Sequence, residues 1–136
     1  MTINRHEVRV LAFQALFALS SNPEADIRAV CDELVAQLTS VDEVVVPPYL
    51  YELVEGVITN QAQLDAEIEK YLNAKWSIAR LNKTDLLILR LATYEMLFVE
   101  AVPAKVALNE ALQLAKEFSD DKSRRFINGV LSNLLK

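Results

Sequence analysis

NKTDLLILRLATYEM, residues 82–96, is the stretch that decides the fold. Asn82 is a residue type that accepts a backbone N–H at a helix start, and Asp85 follows three positions later, where an acid suits the first turn. Beyond them the segment is apolar on almost every side, interrupted by Arg90. A helix that is hydrophobic all round is a buried one, so this segment, ending near Glu100, predicts the central helix of a bundle. Downstream, Pro103 opens a helix carrying Val106, Ala107, Ala111, Leu114, Ala115 and Phe118, which Ser119-Asp120-Asp121 breaks. A last helix runs from Lys122 or Ser123 to Leu135, with Ile127, Val130, Leu131 and Leu134 as its buried stripe. Upstream, Trp76, Ile78 and Leu81 bridge back to a helix at about 61–72, and another starts near Pro48 with Leu50, Leu53, Val54, Val57 and Ile58. Val44-Val45-Val46 looks strand-like, but Pro47-Pro48 follows at once, so it reads as a loop. Helices at about 24–38 and 3–19 complete the count. Seven helices with short connections and no strict alternation predict an all-α globule.

The 136 residues predict a single domain over 1–136, with material enough for a core. Two glycines, Gly56 and Gly129, leave nothing for a glycine-rich phosphate loop. One cysteine, Cys31, excludes an internal disulfide and a cysteine zinc site, and it lies between Val30 and Leu34 on an apolar stripe, as a core residue does. One histidine, His6, is too few for a histidine metal site and leaves little for a catalytic triad. Acidic pairs at helical spacing, Asp65 with Glu69 and Glu52 with Glu55, read as solvated faces. No catalytic group, metal ligand or cofactor site is expected. No signal peptide or run of ~18 uncharged apolar residues is visible, which predicts a soluble cytosolic protein without a membrane partner.

The net charge of −5 argues against nucleic acid until it is divided along the chain. Residues 24–69 hold eleven acids and one base, Arg28, leaving a net +5 for the rest. From Lys122 onward there are four bases and no acid. Such asymmetry points to a partner better than the total does. In the first helix, Val8, Ala12, Ala15, Leu16 and Leu19 share one stripe at ~100° per residue, and His6, Val10, Phe13 and Phe17 form a second, roughly opposite. Either the helix is packed on both sides, or part of the second stripe stays open for a partner. Arg5 and Arg9 share one flank. In the last helix Phe126 sits about a quarter-turn from the centre of the buried stripe, beside Arg125, with Asn128 on the other flank. Guanidinium groups for phosphates, an aromatic edge for stacking and an amide for base edges suit single-stranded RNA; the same position equally allows Phe126 simply to widen the core stripe. Gly129 costs its helix about 1 kcal/mol against alanine, which suggests close approach of another helix or of a ligand.

From about Arg5 to Leu131 the chain resembles the NusB family of bacterial transcription antitermination factors. The resemblance rests on RHEVRVLAFQALF at 5–17, DLLILRLATYEM at 85–96, VPAKVALNEALQLAKEF at 102–118 and RFINGVL at 125–131. It implies two small packed helical bundles. It also implies binding to boxA-type single-stranded RNA of rRNA leaders together with the small-subunit ribosomal protein NusE, and through them to other Nus factors and RNA polymerase. Arg5, His6, Arg9 and Gln14 fall in the family's arginine-rich first helix, and Lys122, Arg124, Arg125, Phe126 and Asn128 in its second RNA-contacting stretch. Phe17, Tyr71 and Asp85 are the expected NusE contacts. The family includes chains that form homodimers and chains that do not. His6 and Glu7 stand where further arginines are typical, Phe17 where a tyrosine is common, and Lys122 where an acid is frequent. The thinner cationic cluster predicts weak RNA binding by the chain alone and stronger binding with its partner. Two alternatives compete: the RNA-binding module of an rRNA cytosine methyltransferase, and a protein-binding helical adaptor working through the acidic segment.

Overall fold

The computed structural model describes residues 3–38 and 45–135. Among the described residues there are seven α-helices, one short 3-10 turn at Ile78–Arg80 and no strand. The helices are α1 (Arg5–Ser21), α2 (Ile27–Leu38), α3 (Pro48–Thr59), α4 (Gln61–Glu69), α5 (Lys83–Phe98), α6 (Ala104–Phe118) and α7 (Asp121–Leu135). The all-α expectation holds. The chain divides into two compact units, residues 1–58 and 59–136. Val44, Asp42, Glu43 and Lys136, which enter the loop and charge readings, lie outside the described residues.

Helix boundaries follow from side chains that take up the first free N–H groups. The α2 start moves from 24 to Ile27 because the Asp26 carboxylate accepts from the Ala29 backbone N–H at 2.9 Å. Asp120, read from sequence as part of a helix break, instead caps α7 by accepting from the Ser123 N–H at 2.8 Å. That bond holds the Asp120 carboxyl below its ordinary range. Helix α4 stops at Glu69 rather than 72, because Tyr71 and Leu72 close tighter bonds back to Ile68 and Glu69.

In the first unit α1 packs on α2, burying Leu11, Ala12, Ala15, Leu16 and Leu19 from one helix and Cys31 and Val35 from the other. Burial pushes the Cys31 thiol up to about 11, as suits an inert core cysteine. A polar cluster ties α2 to α3. The Tyr51 hydroxyl donates to Asp32, and Arg28 donates to Glu55 at 3.1 and 3.3 Å while lying over the Tyr51 ring. The bond to Asp32 pushes the Tyr51 hydroxyl up to about 12.

In the second unit α5 packs against α4, α6 and α7, the central position its sequence predicts. Its cap is the expected one: the Asn82 side chain accepts from the Asp85 N–H at 2.8 Å. Leu87, Ile88, Leu89, Leu91 and Ala92 are buried, and so are the polar Asp85, Thr93 and Glu95. Arg90, the break in the apolar run, grips Asp65 of α4 with two donors at 2.7 and 2.9 Å. Asp65 is therefore a structural acid rather than part of a solvated face with Glu69.

Candidate functional site

Arg5, His6, Arg9 and Gln14 belong to the first unit. Asn4 and Glu7 form a reciprocal capping box: the Asn4 side chain accepts from the Glu7 N–H at 2.8 Å, and the Glu7 carboxylate accepts from the Asn4 N–H at 3.1 Å. Glu7, an interruption of the basic cluster in the sequence, is thus employed in starting α1. The pattern Asn4-x-x-Glu7 was the available signal. Arg5, the first residue of the helix, is exposed, and its guanidinium carbon lies 3.9 Å from the centroid of the Tyr49 ring. His6 and Gln14 are half-buried.

Arg9 differs from Arg5. Four residues advance a helix by about 40° beyond one full turn, which carries Arg9 off the open flank. It is only 4% exposed and lies among the buried positions of α1 with Val8, Ala12 and Phe13. The second stripe of α1 is graded in the same way: Phe13 is buried and Phe17, in ring contact with it at 6.2 Å, is 41% exposed.

Lys122, Arg124, Arg125, Phe126 and Asn128 belong to the second unit. Lys122, both arginines and Asn128 are exposed on α7, and Arg124 pairs with Asp121 at 3.3 Å. Phe126 is half-buried because Ile127, one residue on, points fully into the core. The phenylalanine ring rests against Trp76, with centroids 5.9 Å apart and planes at 51°. These two rings and Lys122 line a cleft of about 400 Å³ whose walls include Asn82 and Asp85. The Asp85 Oδ2 accepts from Ser123 Oγ at 3.0 Å and from Asn82 Nδ2 at 3.1 Å, while Oδ1 has no hydrogen-bond partner. Burial raises the Asp85 pKa against the lowering effect of those two donors. Asp85 is 6% exposed, Tyr71 is half-buried, and neither stands out from the surface. Trp76, read from sequence only as a bridge between helices, is the aromatic the sequence reading missed. Its signal was an isolated tryptophan in a polar connection.

Gly129 corrects one expectation. A Cβ built there meets nothing within 4 Å, so no neighbouring helix approaches it. Gly129→Ala should therefore stabilise the protein by about 0.5–1 kcal/mol through helix propensity alone, seen as a higher urea midpoint with an unchanged slope.

Among the described residues no group of three or more His, Cys, Asp or Glu side chains could hold a metal ion. Nor, among the described residues, is any helix long and apolar enough to cross a membrane. Among the described residues the chain is an all-α helical protein with exposed cations and two partly exposed aromatic rings on its second unit. The chain belongs to the NusB family, whose profile matches residues 6–136. A relative from Lactiplantibacillus plantarum, a transcription antitermination protein NusB, is 52% identical over all of this chain and 97% of its own length. The protein of that name from Levilactobacillus brevis is 53% identical over 99% of this chain and 94% of its own. Among solved structures, T. maritima NusB superposes with a TM-score of 0.85 at 30% identity, covering 99% of this chain and 92% of that one. A crystal structure of the antitermination factors NusB and NusE in complex with dsRNA gives 0.83 at 27% identity, covering 99% and 98%. The relatives are named as transcription antitermination proteins, and the chain, a member of their family, is not an enzyme.

Proposed function

We propose that this protein is a cytoplasmic transcription antitermination factor that binds boxA-type single-stranded RNA of rRNA leader transcripts together with NusE. In this reading the pair recruits other Nus factors to RNA polymerase, and the two units act as one RNA-binding domain. The observation that carries the reading is the cleft on the second unit walled by Phe126, Trp76 and Lys122, with Arg125 exposed on the same helix one residue before Phe126. Arginines take phosphates, and a half-open pair of rings offers a base something to stack on. The name of the relatives supports the antitermination role, and the solved complex of NusB and NusE with dsRNA supports RNA and NusE as partners.

Arg5, Lys122, Arg124 and Arg125 are the proposed phosphate contacts, Phe126 the stacking ring, and Asn128, His6 and Gln14 polar contacts. Arg9, being buried, acts from within α1 rather than as an open phosphate hook. Phe17 offers NusE an exposed ring, Tyr71 a half-buried one, and Asp85 reaches a partner only through the cleft.

The RNA in the solved complex is double-stranded, which favours a duplex as the second reading. A salt-series titration of a boxA oligomer as single strand and as duplex, with and without NusE, tests both. Single-strand binding should tighten with NusE. Arg5→Ala and Arg125→Ala should each weaken it and flatten the dependence of log K on log salt by about 0.7 for every phosphate no longer neutralised. Preference for the duplex would favour the second reading. Capture of NusE that ignores RNA, with both arginine variants unchanged, would leave only the protein-binding adaptor.

A further inference from the structure

We infer that Tyr49 is a positioning residue for RNA binding, holding the Arg5 guanidinium in place for a backbone phosphate. The inference rests on the RNA-binding reading above. Arg5 is the first residue of α1, and its backbone is fixed by the Asn4–Glu7 capping box. Tyr49 is in the first turn of α3, immediately after Pro47 and Pro48, whose rings restrict the chain that delivers it. The two side chains meet with the guanidinium carbon 3.9 Å from the ring centroid, across 44 residues of sequence.

This pairing has a chemical consequence that an ion pair would not have. A carboxylate partner neutralises a guanidinium and occupies its donor fork, whereas an aromatic face holds the cation while leaving its full charge to act on a phosphate. A free arginine carries a large rotamer entropy that is lost on binding, and a ring that already restrains it removes part of that cost beforehand. The groove beside the pair, about 540 Å³ and lined by Ile3, Pro47, Pro48 and Glu52, leaves room for a nucleotide. Arg5 is the one cation in that lining and Glu52 the one carboxylate, so the groove offers no second positive charge for another phosphate. The seat accordingly takes a single phosphate rather than a run of them.

A double-mutant cycle on the full chain with NusE, read by titration of single-stranded boxA oligomer, tests the inference. Tyr49→Phe should bind as the unmodified protein does. Tyr49→Leu should lose about three- to fivefold in affinity with its melting midpoint unchanged. In the Arg5→Ala background Tyr49→Leu should cost nothing more, because there is then no guanidinium to hold. A loss that persists in that background, or a Tyr49→Leu variant that binds normally while Arg5→Ala does not, overturns the positioning role and leaves the RNA reading intact. An Arg5→Ala variant that binds normally overturns both at this helix. If Tyr49→Leu melts early, the ring-current shift of the Arg5 side-chain resonances in the intact protein decides the matter. Shifted signals that move further on adding RNA support the role, and unshifted signals refute it.

Discussion

Replacing Phe126 with alanine is expected to weaken binding of single-stranded boxA RNA by about 1–3 kcal/mol, roughly five- to 150-fold, the usual effect of removing a ring on which a base stacks. The ring has two duties, since one side rests on Trp76 and it also lines the cleft beside Lys122. Phe126→Leu separates them. Leucine keeps apolar bulk against the tryptophan and supplies no aromatic face, so it should retain the fold and still lose affinity. The ring is uncharged, so the salt slope should stay constant in both variants, whereas Arg125→Ala should change it. Filter binding at several salt concentrations distinguishes the two behaviours. A leucine variant that binds like the parent would make Phe126 a core residue that merely shows an edge.

The second large effect is on stability. Ile88 of α5 is fully buried in a helix packed by α4, α6 and α7. A helix held by three others has little freedom to collapse onto the gap that a smaller side chain leaves. Ile88→Ala should cost about 2–5 kcal/mol, the sum of lost transfer energy and residual cavity. That is a large share of the ~5–15 kcal/mol typical of a native protein. Ile88→Val should cost about 0.5–1.5 kcal/mol. Urea denaturation followed by circular dichroism reads both. A small cost for alanine would mean that the second unit is looser than its packing implies.

The fold was legible because its signals are local. Asn82 and Asp85 announce a helix start within four residues, and the apolar run behind them needs a bundle around it whatever the rest of the chain does. The site was legible in part for the same reason: a quarter-turn separates Phe126 from the fully buried Ile127, and that separation follows from helix geometry. What stayed hidden depends on distant residues. Trp76 meets Phe126 across 50 positions, and Tyr49 meets Arg5 across 44; no periodicity links either pair. The burial of Arg9 was hidden differently, because an advance of about 40° around one helix decides whether a guanidinium faces water, and only the neighbours on that side settle it. Asp85 shows the converse. Its place as an acid in the first turn could be read from spacing, but its enclosure with Ser123 required α7 to be in place.

The tryptophan beside Phe126 also makes the protein its own optical instrument. It is the only one in the chain and is 43% exposed at the edge of the cleft, so all indole emission comes from one wall of the proposed binding surface. A nucleobase entering that cleft would quench or shift this emission, while RNA held elsewhere would leave it unchanged. Occupancy of this cleft can thus be followed in an unlabelled protein, separately from total binding.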